Sequence, residues 1–465
     1  MRMPYAARGE EMTARRRKSW PQPTPKGARV LSAFARRLAI SGVSALVVAG
    51  VAAQAVNLLA YPALTHFYTP ADFGLFSVIT SVSTFAGAIV LLRLETLYQI
   101  APADEEEGLL TAAVLVALAM TVLTFLVALF FGGMLIAQVS YGFEGSNWHW
   151  SYALLIAGLA AANGILSLAR EYGAKAGRYK RLAAAQVART VLTIGAQLGL
   201  VFVLTTATSS ALMAGFSLGL VISTLMIWPI RARTLQTLVE TPRHALATTR
   251  RLLAQYATYV RIDVVNVLVR LSSLIAYPIF VLASFGVAET GLYAVASRIT
   301  FIPIDVLAAS ISTVFFQKFA AAVRDGAGTA RLYLVALAGA AAIAVAIAAA
   351  LALVAGPLVD LVFGDGWART AVIILYLLPT FLSRFVITCI GSAPLALKRP
   401  GILLWWNIVQ LAIIAGTLVA TRHQSLELFL LCSGLALLAA SAVYAGVLHV
   451  TISRRPPVYS HTEAS

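Results

Sequence analysis

The sequence predicts an all-α integral membrane protein with about twelve transmembrane helices in two six-helix bundles. Three observations predict it. Sixty per cent of the 465 residues are hydrophobic and 12% are charged, with a mean hydropathy of +0.85, far from a soluble domain of this length. Apolar runs recur that can cross a hydrocarbon core of ~30 Å at ~1.5 Å per residue. They lack strand alternation, which argues against an outer-membrane barrel. Finally, 27 of the 35 Lys and Arg fall in alternate connections, and that asymmetry assigns those connections to the cytoplasmic side of an inner membrane.

Residues 1–37 are polar, Pro-containing and Arg-rich, with Arg15, Arg16, Arg17, Lys18, Arg36 and Arg37. They are too long and irregular for a cleaved signal and read as a disordered cytoplasmic tail that touches anionic lipid. The first bundle, 38–230, contains predicted spans at 38–61, 75–98, 109–139, 152–169, 182–204 and 211–230. Residues 231–258 form a basic cytoplasmic linker whose helical look suits an amphipathic segment on the inner surface. The second bundle, 259–452, contains spans at 259–285, 291–316, 332–354, 370–390, 401–420 and 426–452. A cytoplasmic tail, 453–465, closes the chain. The inner connection 104–107 is acidic, but carboxylates contribute little to orientation. Trp148, Trp150, Trp228 and Trp367 lie near span ends, where indole rings favour the membrane interface.

A net charge of +16 would suggest nucleic acid in a soluble protein. Here it reflects topology, and neither an aromatic RNA platform nor a recognition-helix pattern accompanies it. Cys389 and Cys432 sit inside apolar spans and read as buried hydrophobes, without disulfide or metal spacing. No Gly-rich phosphate loop with Lys is visible, so no cofactor or nucleotide is expected.

The two halves echo each other. PADFGLFSV (70–78) precedes the second span and VAETGLYAV (287–295) the eighth, at an offset of 217, with Asp72 facing Glu289. Lys180-Arg181 and Lys398-Arg399 repeat at an offset of 218. Six helices is an even number, so the halves share one orientation and relate by an axis along the membrane normal. Gly74 and Gly291 then ease a tight start to their helices.

The charges lying two or more residues inside the spans are Arg93, Arg189, Arg261, Arg270, Arg298, Arg384, Glu95, Asp263 and Asp305. Each costs ~2.5–3.5 kcal/mol at the bilayer centre even on the forgiving insertion scale, so partners or a wet cavity are required. Arg93 and Arg261 are near enough to the inner ends to snorkel. Asp263 and Arg270, like Arg298 and Asp305, are seven residues apart, on one helix face but too distant to pair directly. Two readings stay open: ion pairing between neighbouring helices, or a basic substrate path (Arg270, Arg298, Arg384, Arg189, Arg93) with carboxylates that exchange protons (Asp263, Asp305, Glu95). The cationic excess suits an anionic polar cargo. Pro303 and Pro278 should loosen backbone hydrogen bonds in the eighth and seventh spans, as hinges or as packing kinks.

At these residues the chain resembles the Wzx-type polysaccharide flippases of the MOP superfamily, which also holds MATE transporters and the lipid II flippase. The resemblance covers about 41–452. It is carried by FYTPADFGLFSV (67–78) with the Arg93–Glu95 region, by GLYAVASRITFIPIDVLAASISTVFFQKFA (291–320), and by FGDGWARTAVIILYLLPTFLSRFV (363–386) followed by LKRP (397–400). It implies a V-shaped pair of bundles that moves a polyprenyl-pyrophosphate-linked oligosaccharide to the periplasmic leaflet. It also implies ion coupling in some members, with polysaccharide polymerase and chain-length machinery as neighbours. On this resemblance the family's basic lumen positions would correspond to Arg270, Arg298 and Arg384.

Rival functions fit less well. A polysaccharide polymerase or glycosyltransferase needs a long outer loop bearing Arg, His or paired carboxylates, and the outer connections are short. A MATE-like multidrug exporter of cations meets the wrong intramembrane charge sign. A major-facilitator porter lacks its basic signature between spans two and three, where 104–107 is acidic.

Overall fold

The protein is described by a computed structural model covering residues 42–102, 104–139, 148–204, 208–228, 232–325, 328–397, 399 and 401–454. The Arg-rich tail lies outside the described residues, as do Lys398 and the side chains of Trp148 and Asp305.

Every predicted span contains helix, and among the described residues no strand occurs. The first half comprises α1 (Gly42–Phe67), α2 (Pro70–Gly87), α3 (Leu94–Ile100), α4 (Glu106–Val139), α5 (Trp148–Lys175), α6 (Tyr179–Leu204) and α7 (Ser209–Met226). Two helices follow in the linker, α8 (Ala232–Glu240) and α9 (Pro242–Gln255). The second half comprises α10 (Ala257–Phe285), α11 (Val287–Pro303), α12 (Ala309–Asp325), α13 (Thr329–Val362), α14 (Arg369–Ile390), α15 (Gly401–Thr421) and α16 (Leu426–Ser453). Among the described residues ten helical stretches are long and apolar enough to cross a membrane, or eleven if the helices on either side of the bend at Tyr256 count as one span. The protein is a multi-pass membrane protein.

The second predicted span is not continuous. Helix α2 stops at Gly87, and Leu92 (φ 47°) and Arg93 (φ 66°) adopt left-handed backbone before α3 begins. Such a conformation costs a non-glycine residue about 1–2 kcal/mol, and side-chain bonds hold it here. Arg93 Nε donates to Asp263 Oδ2 on α10 at 2.8 Å, and Nη1 donates to Glu95 Oε1 at 2.7 Å. Thr96 Oγ1 donates to the Arg93 carbonyl at 2.7 Å. Hydropathy registers this stretch as one apolar run because only two charges interrupt it.

Two further expectations change. The fourth span extends C-terminally to Lys175, which brings Arg170 into the helix rather than the connection. Trp367 is not interfacial: it is 2% exposed, its Nε1 donates to the Thr65 carbonyl at 3.0 Å, and its ring meets Phe73 edge-on. Pro303 ends α11, and a π-helical turn, Ile304–Ala308, joins it to α12, the kind of local unwinding that a missing N–H permits. Helix α10 runs through Pro278 without interruption.

The halves meet where α2 crosses α11, at the repeated glycines. A Cβ on Gly74 would overlap the Val287 carbonyl oxygen, and one on Gly291 would overlap the Pro70 carbonyl oxygen. Those two contacts exchange under the 217-residue offset, so the crossing is a pseudo-two-fold contact and both glycines are needed for backbone approach. Nearby, Arg369 bonds Glu289 and Glu427, the latter at 2.6 Å. Trp367 links the halves at this end, which is expected to face outward, while the Arg369 contacts stay within the second half. Asp72, the repeat partner of Glu289, instead completes a capping box with Thr69 and accepts from Ser209 N at 2.8 Å.

At the opposite end the acidic connection anchors the linker. Tyr256 Oη and Gln255 Nε2 donate to Glu105 at 2.6 and 3.0 Å, and Thr234 donates to Glu107. These bonds hold the Glu105 carboxyl below the usual carboxylate range, chiefly through Tyr256, and the same contact raises the Tyr256 hydroxyl. Lys175 pairs with Glu106 at 3.0 Å and caps the carbonyls of Tyr98 and Ala101. Helix α9 buries Ala245, Thr249 and Leu252 on its packed face.

Candidate functional site

Between the halves lies a cavity of about 430 Å³. Helix α6 supplies its most regular wall. Gln186, Arg189, Thr190, Thr193 and Gln197 fall at i, i+3, i+4, i+7 and i+11 and so share one helix face. Helix α1 adds Gln54, Asn57 and Tyr61 by the same rule, and α2 adds Thr80, Ser81 and Thr84. Arg170, near the inner end of α5, carries the cavity toward the expected cytoplasmic side. The second half contributes Leu271 and Ile275 from α10 and Arg298 from α11.

A smaller chamber of about 150 Å³ adjoins it, sharing Tyr61, Phe73, Phe76, Thr80, Ser81 and Arg298. Arg384 of α14 enters this chamber and packs its guanidinium 4.5 Å above the Phe301 ring. Arg189 similarly lies 5.3 Å from the Phe216 ring. Four arginines therefore line one connected space, and among the described residues no Asp or Glu lines either part. Among the described residues none of the four has a carboxylate in ion-pair contact. Arg170 and Arg298 both act on Arg189 as repelling like charges.

Several wall hydroxyls already donate along their own helices. Thr80 donates to the Phe76 carbonyl and Thr84 to that of Thr80, each at 2.7 Å. The Gln197 side chain bonds the Leu212 carbonyl at 2.9 Å, which ties α6 to α7. The cationic donors thus dominate what the wall offers a ligand. Guanidinium groups set among aromatic rings, without carboxylates, attract an anion and can grip phosphate oxygens bidentately. They repel a cation.

The predicted site residues divide. Arg189, Arg298 and Arg384 line the connected space. Arg93, Glu95 and Asp263 are joined instead by ion pairs at the break between α2 and α3, so the pairing between neighbouring segments is what forms there. Arg270 lines neither chamber; it is exposed on α10 and within electrostatic reach of Arg93 and Asp263. Asp305 falls in the π-helical turn. Arg170 and the polar stripes were missed by counting charges alone. The helical spacing of Gln186 through Gln197 inside an apolar span was the available signal.

A family model described as polysaccharide biosynthesis protein matches residues 63–372, which include most of this cavity. The chain belongs to that family. A search of curated proteins finds no match. Among solved structures, the lipid II flippase MurJ in an inward closed conformation is similar, with a TM-score of 0.65 and 13% identity, covering 88% of this chain and 87% of that one. An inward-facing multidrug resistance MATE family transporter of the MOP superfamily is similar at a TM-score of 0.55 and 16% identity, covering 86% of this chain and 94% of that one. At such identities the likeness concerns the fold. This polysaccharide biosynthesis protein therefore has the all-helical fold of MOP-superfamily flippases and transporters, and its cavity occupies the interface between the halves.

Proposed function

We propose that this protein is a flippase that moves a polyprenyl-pyrophosphate-linked oligosaccharide from the cytoplasmic to the periplasmic leaflet by alternating access. The observation that carries the reading is the cavity bearing Arg170, Arg189, Arg298 and Arg384, to which no described residue contributes a carboxylate. Guanidiniums within membrane-spanning helices and without counter-charges are costly, and an anionic head such as a pyrophosphate or uronate relieves that cost. Residues 38–230 and 259–452 act as the two rocking bundles, with 231–258 as the bridge, both termini cytoplasmic and the protein in the inner membrane. The α2–α11 crossing and the Trp367 contact form the closed periplasmic side. Headgroup hydroxyls find the α1 and α6 amides while the polyprenyl chain remains in apolar surroundings. Translocation ends when a surface-polysaccharide polymerase consumes the product or an ion gradient resets the bundles. Arg93, Glu95 and Asp263 hold the break in the second span, and Arg270 acts beside them.

Deleting the gene should cause a polyprenyl-linked glycan to accumulate in the inner leaflet. Arg298→Ala should reproduce that accumulation at normal protein levels, and Arg298→Lys should only soften it, because an ammonium lacks the bidentate fork. Loss of dye efflux with no glycan accumulation would overturn the proposal in favour of a cation exporter.

A further inference from the structure

Behind the cationic cavity a second space of about 430 Å³ opens between α2, α4, α5 and α10. Its walls are apolar: Val82 of α2, Met120 and Val127 of α4 and Ile279 of α10 are representative. The hydroxyl of Thr124, also on this wall, is spent on the Met120 carbonyl at 2.7 Å. Both halves of the chain contribute, as they do to the cationic cavity. Phe85 and Ile275 line both spaces, so the two share a wall. By contrast, the apolar groove around Leu438 and His449, between α13, α14 and α16, shares no lining residue with the cationic chambers.

We infer that the α2–α4–α5–α10 groove seats the isoprenoid hydrocarbon chain of an amphiphile whose anionic head occupies the arginine cavity, with Phe85 and Ile275 at the junction of head and chain. The inference rests on the proposed function for the occupant of the cavity and adds where its chain lies. Lipid tails are as apolar as the groove, so moving a chain into it gains little from the hydrophobic effect. What the groove supplies is shape and alignment. A methyl-branched chain packs against Val, Ile and Met walls, and a chain held beside its own head raises that head's effective concentration at the arginines.

The test uses the full-length protein in phospholipid nanodiscs, with a photoreactive benzophenone amino acid replacing Val82. The probes are a radiolabelled long-chain polyprenyl pyrophosphate and a radiolabelled phosphatidylglycerol. The polyprenyl probe should cross-link preferentially, and excess inorganic pyrophosphate should suppress that cross-link. Ala128→Trp, which fills the groove, should weaken polyprenyl pyrophosphate binding about tenfold or more while leaving stabilisation by inorganic pyrophosphate unchanged. Ala442→Trp in the distant groove should leave both unchanged. Equal cross-linking of the two lipids, or unaltered polyprenyl affinity in a folded Ala128→Trp protein, overturns the inference while the arginine cavity stands. If pyrophosphate neither stabilises the protein nor competes, the cavity reading fails and this inference falls with it.

Discussion

Two arginines placed by the same residue code carry opposite energetic signs in this protein. Arg189 lines the cavity beside other guanidiniums with no carboxylate partner among the described residues. Its replacement by Ala should leave the melting midpoint of the substrate-free protein unchanged or higher, because an unrelieved repulsion disappears, while export falls. Arg93 holds Glu95 and Asp263, whose side chains are 3% and 27% exposed. Arg93→Ala should cost about 3 kcal/mol, the low end for a buried pair that loses one partner. The added changes Glu95→Gln and Asp263→Asn should restore much of it. A thermal or denaturant unfolding series in detergent reads both effects, and a clear drop for Arg189→Ala would contradict the unpaired assignment.

At the scale of the element, the decisive features are a crossing and a tether. The α2–α11 crossing has no room for a side chain at either repeated glycine. Gly74→Val should therefore force the helices apart, destabilise the protein by about 1–3 kcal/mol, and raise thiol labelling of a cysteine placed at Thr65 beneath Trp367. Unchanged labelling would show that the crossing does not close that end. The tether is the bond set from Tyr256 and Gln255 to Glu105. Because folding lowers the Glu105 pKa from its ordinary 4.5, its contribution is present above that value and is lost as pH falls through the lowered one. Hydrogen exchange of 232–255 should accordingly increase only in acid below about pH 4.5, and Glu105→Gln should abolish that dependence.

For the whole molecule, the sign of the cavity charge predicts ligand preference. Inorganic pyrophosphate should stabilise the purified protein, by ~2.7 kcal/mol at a hundredfold excess over its Kd. The Arg189→Ala/Arg298→Ala double variant should lose the effect. Lipophilic cations should give none; a shift with cations and none with pyrophosphate would reverse the assigned polarity.

The fold was legible in the sequence because hydropathy and charge asymmetry are additive over long windows. Each of the twelve predicted spans contains helix, and the 217-residue echo marks the two helices that cross. The break at Leu92–Arg93 was hidden, since one left-handed turn leaves hydropathy unchanged. The site was half legible. Intramembrane charge flagged Arg189, Arg298 and Arg384, yet charge alone did not separate them from Arg93 and Asp263, or reveal Arg170 at a helix end.

The chain's own residues determined the membrane class and the excess of cationic groups, because burial in lipid constrains composition locally. Only the tertiary structure decided which arginine finds a carboxylate and which faces open space. That outcome depends on contacts such as Arg93 with Asp263, 170 residues apart, and no local pattern encodes a distance of that kind.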